Sequence, residues 1–236
     1  MRIIAHRGIS GSNPENTLLS FTKTIELGIN SVELDVHATR DGSLVVIHDK
    51  TLDRTTNGNG PVIEKTLNEL KTLNAGGGQQ IPTLQEVLNL FDKKTLINIE
   101  IKGENTLDLL VKIITDYVET KKLSYDNFFI SSFDQQQLVN FKKLLPQIKL
   151  GVLIRKDTIF SWEEILKLKP YSINHSMEAV TVEFIKKAHN YGLKVFVYTV
   201  NELEDMIRMQ NLGVDGIFSD YPERAVDIKS QHIQSN

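Results

Sequence analysis

Residues 31–36 read Ser31-Val32-Glu33-Leu34-Asp35-Val36. Such a run of β-branched and apolar residues makes a strand, and the two-residue side-chain period sends Glu33 and Asp35 to one face and Val32, Leu34 and Val36 to the other. Two acids inside an otherwise apolar strand cost desolvation energy unless a partner meets them. What that partner is depends on where the face points, and so on what the rest of the chain builds.

Outward from this strand the chain repeats one unit, a short β-rich run followed by an amphipathic stretch. The other runs are Arg2 to Ala5, Thr95 to Ile101, Phe128 to Ser131, Lys149 to Leu153, Tyr171 to Asn174, Lys194 to Thr199 and Gly216 to Ser219. Eight strands alternating with helices predict a parallel sheet with crossover helices, and at 236 residues an α/β (β/α)8 TIM barrel fits as a single domain over 1–236. Asn16 to Leu27 illustrates the helical unit, with Leu18, Phe21, Thr22 and Ile25 on one face and Gly28 as its stop; Leu107 to Thr120 repeats the pattern.

Between the second and third strands lies an excess of chain, about residues 40–80. Its start, Asp41-Gly42 followed by Leu44-Val45-Val46-Ile47, reads as a hairpin continuing the second strand, and Pro82-Thr83 restarts the barrel. Loops after barrel strands build the active face, so this small insertion is expected to cap it.

Bulk properties exclude more than they assign. With 27 basic and 30 acidic residues, the formal charge of -3 gives no general attraction for nucleic acid or anionic lipid. The absence of cysteine excludes disulfides and thiolate metal sites. The opening run before His6 is too short for a signal-peptide core, which predicts a cytoplasmic protein with no stable membrane anchor.

The third strand ends Asn98-Ile99-Glu100-Ile101-Lys102, so Glu100 and Lys102 share the inward face. Three carboxylates, Glu33, Asp35 and Glu100, therefore converge near one rim. Left alone they would repel one another; a hard divalent cation, Mg2+ or Ca2+, would stabilise all three as oxygen ligands. The plainer alternative is that each acid is a solvated strand end or half of an ion pair with Lys102. His6 and His48 each follow an extended run, and two imidazoles at one rim can divide acid and base roles. Arg7 offers a planar fork for a phosphate. Pro14-Glu15-Asn16-Thr17 reads first as a helix cap, with Asn16 also able to orient site groups. His37 shares the parity of Glu33 and Asp35 but falls at the strand end and is left out as a ligand; His175, His189 and His232 have no comparable context.

The ordered set His6-Arg7-Gly8, Pro14-Glu15-Asn16-Thr17, Glu33-Leu34-Asp35-Val36, Asp41-Gly42, His48-Asp49 and Glu100-Ile101-Lys102 resembles the glycerophosphodiester phosphodiesterase family. Leu52-Asp53-Arg54-Thr55-Thr56, Ile81-Pro82-Thr83-Leu84, Ser131-Ser132-Phe133, Thr199-Val200-Asn201 and Gly213-Val214-Asp215-Gly216-Ile217 extend the likeness over nearly the whole chain. The resemblance implies a barrel with an inserted cap, a cation on Glu33, Asp35 and Glu100, and His6 and His48 as the acid-base pair. It further implies Arg7 and Lys102 on the phosphate, and a small glycerophosphodiester cleaved to sn-glycerol 3-phosphate and an alcohol, in lipid and glycerol metabolism. Phe133 and Tyr198 are candidate walls for the glycerol carbons. Tyr198 departs from the family, where many relatives have Trp.

Three alternatives stand beside this reading. A lysophospholipase D-like hydrolase on the same scaffold would need a wider, greasier pocket. A non-catalytic phosphodiester-binding barrel would not need both histidines. An enediolate-stabilising barrel enzyme would use a lysine facing the metal, which Lys102 supports only weakly. Head group, cation and oligomeric state stay open.

Overall fold

The computed structural model describes residues 1–120 and 122–225. Among these, eight parallel strands close on themselves: β1 (Arg2–His6), β2 (Ser31–Ala38), β4 (Leu96–Ile101), β5 (Phe128–Ser132), β6 (Lys149–Ile154), β7 (Ser172–Ser176), β8 (Lys194–Tyr198) and β9 (Gly216–Ser219). Closure runs through β1, which pairs with β2 at Ala5 and Val32 and with β9 from Arg2–Gly216 to Ala5–Ser219. The eight expected strands and the barrel are all present. β3 (Leu44–Val46) turns back antiparallel on β2, with Val36 opposite Val46 and Ala38 opposite Leu44. The turn between them carries Gly42 at φ 79, a left-handed conformation that a residue without a Cβ adopts at no steric cost.

Helices α1 (Leu18–Glu26), α4 (Leu107–Glu119), α5 (Gln135–Leu144), α6 (Trp162–Lys167), α7 (Val182–Asn190) and α8 (Leu203–Leu212) fill the crossovers, with two short helices, α2 (Leu67–Lys71) and α3 (Leu84–Leu88), after the hairpin. Helix α1 starts later than the periodicity predicts, because Thr17 is its N-cap and Asn16 lies outside at φ 56. Its buried stripe is also rotated, to Ser20, Phe21 and Thr24, with Ile25 exposed. The two hydroxyls allow this: Ser20 Oγ donates to the Arg7 carbonyl at 3.0 Å and Thr24 Oγ1 to the Ser20 carbonyl at 2.9 Å, so small polar side chains pack close to the barrel without stranded groups.

Three apolar clusters divide the interior. The largest lies between barrel and helices. A second, Val45, Ile47, Leu52, Val62, Leu70, Ala75 and Ile81, belongs to the hairpin and the segment after it. The third is inside the barrel, where Ile4, Phe129, Phe196 and Phe218 plug the floor. Side-chain alternation then decides the layers above: one pleat further along their strands come His6, Ser131 and Tyr198, and β4 steps inward from Leu96 to Asn98 to Glu100. Polar groups thus rest on an aromatic floor and open only toward the carboxyl ends of the strands. Among the described residues, no helix is long and apolar enough to cross a membrane.

Candidate active site

Glu33, Asp35 and Glu100 are buried and offer carboxylate oxygens that all lie within 4.8 Å of one another. Register alone sets this, because Asp35 is the cross-strand partner of Glu100 between β2 and β4. Two cations sit against the acids. Lys102 Nζ lies 2.8 Å from Glu100 Oε1 and 3.6 Å from Asp35 Oδ1, and Arg7 Nε lies 3.4 Å from Asp35 Oδ2. Asn16 Nδ2 donates to Asp35 Oδ2 at 2.9 Å, and the Arg7 backbone amide donates to Glu33 Oε2 at 3.0 Å. The Pro14 to Thr17 segment is thus more than a cap: Thr17 caps α1, while Asn16, held left-handed, serves the carboxylates.

The ion pair with Lys102 is real but does not account for the cluster. Glu33 Oε1 and Asp35 Oδ1 remain buried with no hydrogen-bond donor, a costly state for carboxylate oxygens. Three acids against two cations leave one negative charge in a buried pocket. Burial, then Asp35 and Glu100, push the Glu33 carboxyl well above the usual range. Burial and Asp35 raise Glu100 to about 7 despite Lys102. Asp35 goes the other way: burial raises it, but Arg7, Lys102, His48 and the Asn16 hydrogen bond together hold it below the ordinary value. Orphaned, closely spaced, all-oxygen donors fit a hard divalent cation. Glu33, Asp35 and Glu100 are the residues that could hold it.

Two histidines flank this centre and line the same cavity. His6 Nδ1 is 2.6 Å from Asp220 Oδ1, with Nε2 3.9 Å from Glu33 Oε2. His48 Nδ1 is 2.5 Å from Asp49 Oδ1. In both, a carboxylate accepts from Nδ1–H and so fixes the tautomer with a lone pair on Nε2. Desolvation lowers the His48 pKa against the pull of Asp35. The carboxylates are themselves anchored. Asp220 accepts from Ser10 Oγ at 2.8 Å and Asn201 Nδ2 at 2.8 Å, while Arg54 grips Asp49 through Nε (2.7 Å) and Nη2 (2.9 Å). The remaining Arg54 donors reach Glu15, which also accepts from Arg7 Nη1 at 2.9 Å.

The cavity, of 270 Å³, is walled by Tyr198, Leu153 and Phe218, with Asn98 and Ser131 as its polar lining. Phe133 meets Tyr198 edge-on at 6.0 Å, and the Tyr198 hydroxyl donates to the Ile154 carbonyl at 2.7 Å, so Tyr198 presents its ring rather than its hydroxyl. All nine residues expected at the site, His6, Arg7, Glu33, Asp35, His48, Glu100, Lys102, Phe133 and Tyr198, meet at this rim.

A sequence model of the glycerophosphoryl diester phosphodiesterase family matches residues 6–224, from the first histidine of the site to beyond Asp220. The chain belongs to that family. A glycerophosphodiester phosphodiesterase of Caldanaerobacter subterraneus is 41% identical over 239 residues, covering 96% of each chain. An Oleispira antarctica phosphodiesterase, solved in complex with the product sn-glycerol-3-phosphate, is 31% identical with a TM-score of 0.88 over 100% of this chain and 97% of its own. A Thermotoga maritima glycerophosphodiester phosphodiesterase is 32% identical with a TM-score of 0.81, covering 96% and 97% of the two chains.

Sequence reasoning on this phosphodiesterase family member missed Asp220 and assigned no role to Asn201, which it met only within Thr199-Val200-Asn201. An available signal was the position of Asp220, directly after the last strand and so at the same rim as the other site groups. His37, excluded as a ligand, is buried with Nε2 3.1 Å from the His48 carbonyl. His189 pairs with Asp215 at 2.8 Å, His175 packs edge-on against Phe184, and His232 lies outside the described residues.

Proposed function

We propose that this phosphodiesterase family member hydrolyses small glycerophosphodiesters to sn-glycerol 3-phosphate and an alcohol. In this reading Glu33, Asp35 and Glu100 hold a divalent cation, Mg2+ or Ca2+, and His6 and His48 carry the protons. The observation that supports it best is the placing of two carboxylate-anchored imidazoles beside three clustered acids, two of which, Glu33 and Asp35, keep a buried oxygen with no donor. When bound, the cation would neutralise charge on the phosphate and polarise it toward attack.

The chain's own residues do the rest. One imidazole takes the proton of the attacking hydroxyl, from water or from the glycerol oxygen next to the phosphate. The other returns a proton to the alkoxide as its bond to phosphorus breaks; where the glycerol oxygen attacks, the cyclic phosphate so formed is then opened by water to sn-glycerol 3-phosphate. Arg7 and Lys102 balance charge on the carboxylates and line the cavity that would receive the phosphate. The segment about 40–80 acts as the cap of a single barrel domain: its hairpin delivers His48 and Asp49, and Arg54 ties it back to Glu15.

A panel of glycerophospho-choline, -ethanolamine, -glycerol and -inositol, assayed with and without chelator, tests the reading. sn-Glycerol 3-phosphate should appear, vanish on chelation and return with Mg2+ or Ca2+. Hydrolysis indifferent to chelation would remove the carboxylates from the role given to them.

A further inference from the structure

A second cavity, of 540 Å³, opens from the first. The two share His48, Glu100, Lys102 and Phe133, so the reacting phosphate would lie at their junction. A diester centred there must send its two arms into different compartments. The first, smaller and walled by Tyr198, Leu153 and Phe218, suits a three-carbon arm. The second is larger and lined by charge.

That charge is not balanced. Of the acids lining the second cavity, Glu100 is held by Lys102 and Asp49 by Arg54. Asp134 is engaged as the N-cap of α5, accepting from the Gln136 and Gln137 amides at 2.8 and 3.3 Å. Among the described residues, neither Lys50 nor Arg155 has a carboxylate within ion-pair distance, though both line the cavity. The Arg155 guanidinium stacks 4.2 Å over the Phe133 ring, which fixes a cation at the partition between the compartments. Gln137 adds a buried side-chain oxygen with no partner, fit to accept from a hydroxyl.

We propose that the leaving-alcohol arm occupies this second cavity, and that Lys50 and Arg155 select an arm carrying a further anionic group, such as a second phosphodiester. This rests on the phosphodiesterase reading above and adds to it the class of alcohol. Two exposed cations at roughly threefold each give a preference of about tenfold in kcat/KM, carried mainly by KM.

The experiment compares 1,3-bis(glycerophospho)glycerol, glycerophosphoglycerol and glycerophosphocholine on the wild type and on Lys50→Ala, Arg155→Ala and Arg155→Lys. Wild type should favour the first over the last by about tenfold, shrinking as salt screens the cations. The ratio should fall by about threefold in each single alanine variant, fall toward unity in the Lys50→Ala/Arg155→Ala double variant, and survive largely in Arg155→Lys, whatever happens to absolute rates. Equal hydrolysis of all three by the wild type, or a preference unmoved in the alanine variants, overturns the inference and leaves the phosphodiesterase reading intact. Hydrolysis of none of them removes both.

Discussion

His6 Nδ1 and Asp220 Oδ1 lie 2.6 Å apart although 214 positions separate them in the chain. The closing seam of the barrel makes the contact, since β1 and β9 run side by side to their carboxyl ends. Asp220 is in turn held by Ser10 and by Asn201, whose amide accepts from the Asp220 backbone at 2.9 Å as well as donating to the carboxylate. Burial works to raise the Asp220 carboxyl, but these bonds, with His6 first among them, hold it well below the usual range.

Replacing Asp220 with Asn should therefore leave the barrel folded and slow the reaction. An amide can turn a donor toward Nδ1 and favour the wrong tautomer, so kcat should fall about 10²-fold with little change in KM. Steady-state kinetics, alongside calorimetric titration of the cation, would check it. A variant as fast as wild type removes Asp220 from the machinery.

In the metal-free protein, Glu100 should withdraw stability as pH rises from about 4.5 to about 7. Glu100 is raised to about 7, so in that window the folded chain keeps a proton that the unfolded chain has released, and stability falls with pH. One such group costs about 3 kcal/mol once ionised. The lowered acids, Asp49, Asp215 and Asp220, act in the opposite sense, but their contributions are lost only as pH falls below that window. His37, His48 and His175, lowered by burial, oppose Glu100 inside the window, because the unfolded chain protonates them more readily and stability therefore rises with pH toward 6.5. Comparing melting temperatures of wild type and Glu100→Gln in chelator isolates the carboxyl: wild type should lose stability relative to the variant across the window. A wild type that gains on the variant through the same range contradicts the charge arrangement.

Glu33→Gln should separate stability from function. The neutral amide relieves a buried carboxyl crowded by Asp35 and Glu100, raising metal-free stability by about 1–2 kcal/mol, while cation affinity and turnover drop by at least about 100-fold. Thermal melts in chelator and metal titrations give both numbers. A destabilised variant with intact affinity would count against Glu33 as a ligand.

Arg54 links the hairpin region to the first loop by holding Asp49 and Glu15 at once. It is 48% exposed on its side chain, so its ion pairs add little stability, about 0.5–1 kcal/mol. Its effect should fall on geometry: Arg54→Ala frees Asp49 and with it His48, lowering kcat/KM about tenfold, and Arg54→Lys should not rescue, because an ammonium cannot present two forked pairs. Equal activity of the lysine variant and wild type would show that charge alone suffices.

Much of this site was legible along the chain. The alternation in residues 31–36 and 98–102 placed Glu33, Asp35 and Glu100 inward before any partner strand was known, because side-chain direction in a strand is a local property with a period of two. Asp41-Gly42 announced the hairpin for the same kind of reason, as a turn that needs a left-handed backbone. The rotated stripe of α1 escaped because Ser20 and Thr24 are polar by composition; they are buried only by virtue of carbonyls that folding brings to them.

What the chain determined alone is therefore the list of strands, the faces of their side chains and the chemical types that would meet at one rim. Tertiary structure decided the pairings: Asp220 with His6 across the seam, Arg54 between Asp49 and Glu15, Asn16 on Asp35, and Arg155 stacked on Phe133. The reason is physical. Periodicity and turn chemistry act over a few residues, whereas a contact across 214 positions exists only once the sheet has closed and chosen its register.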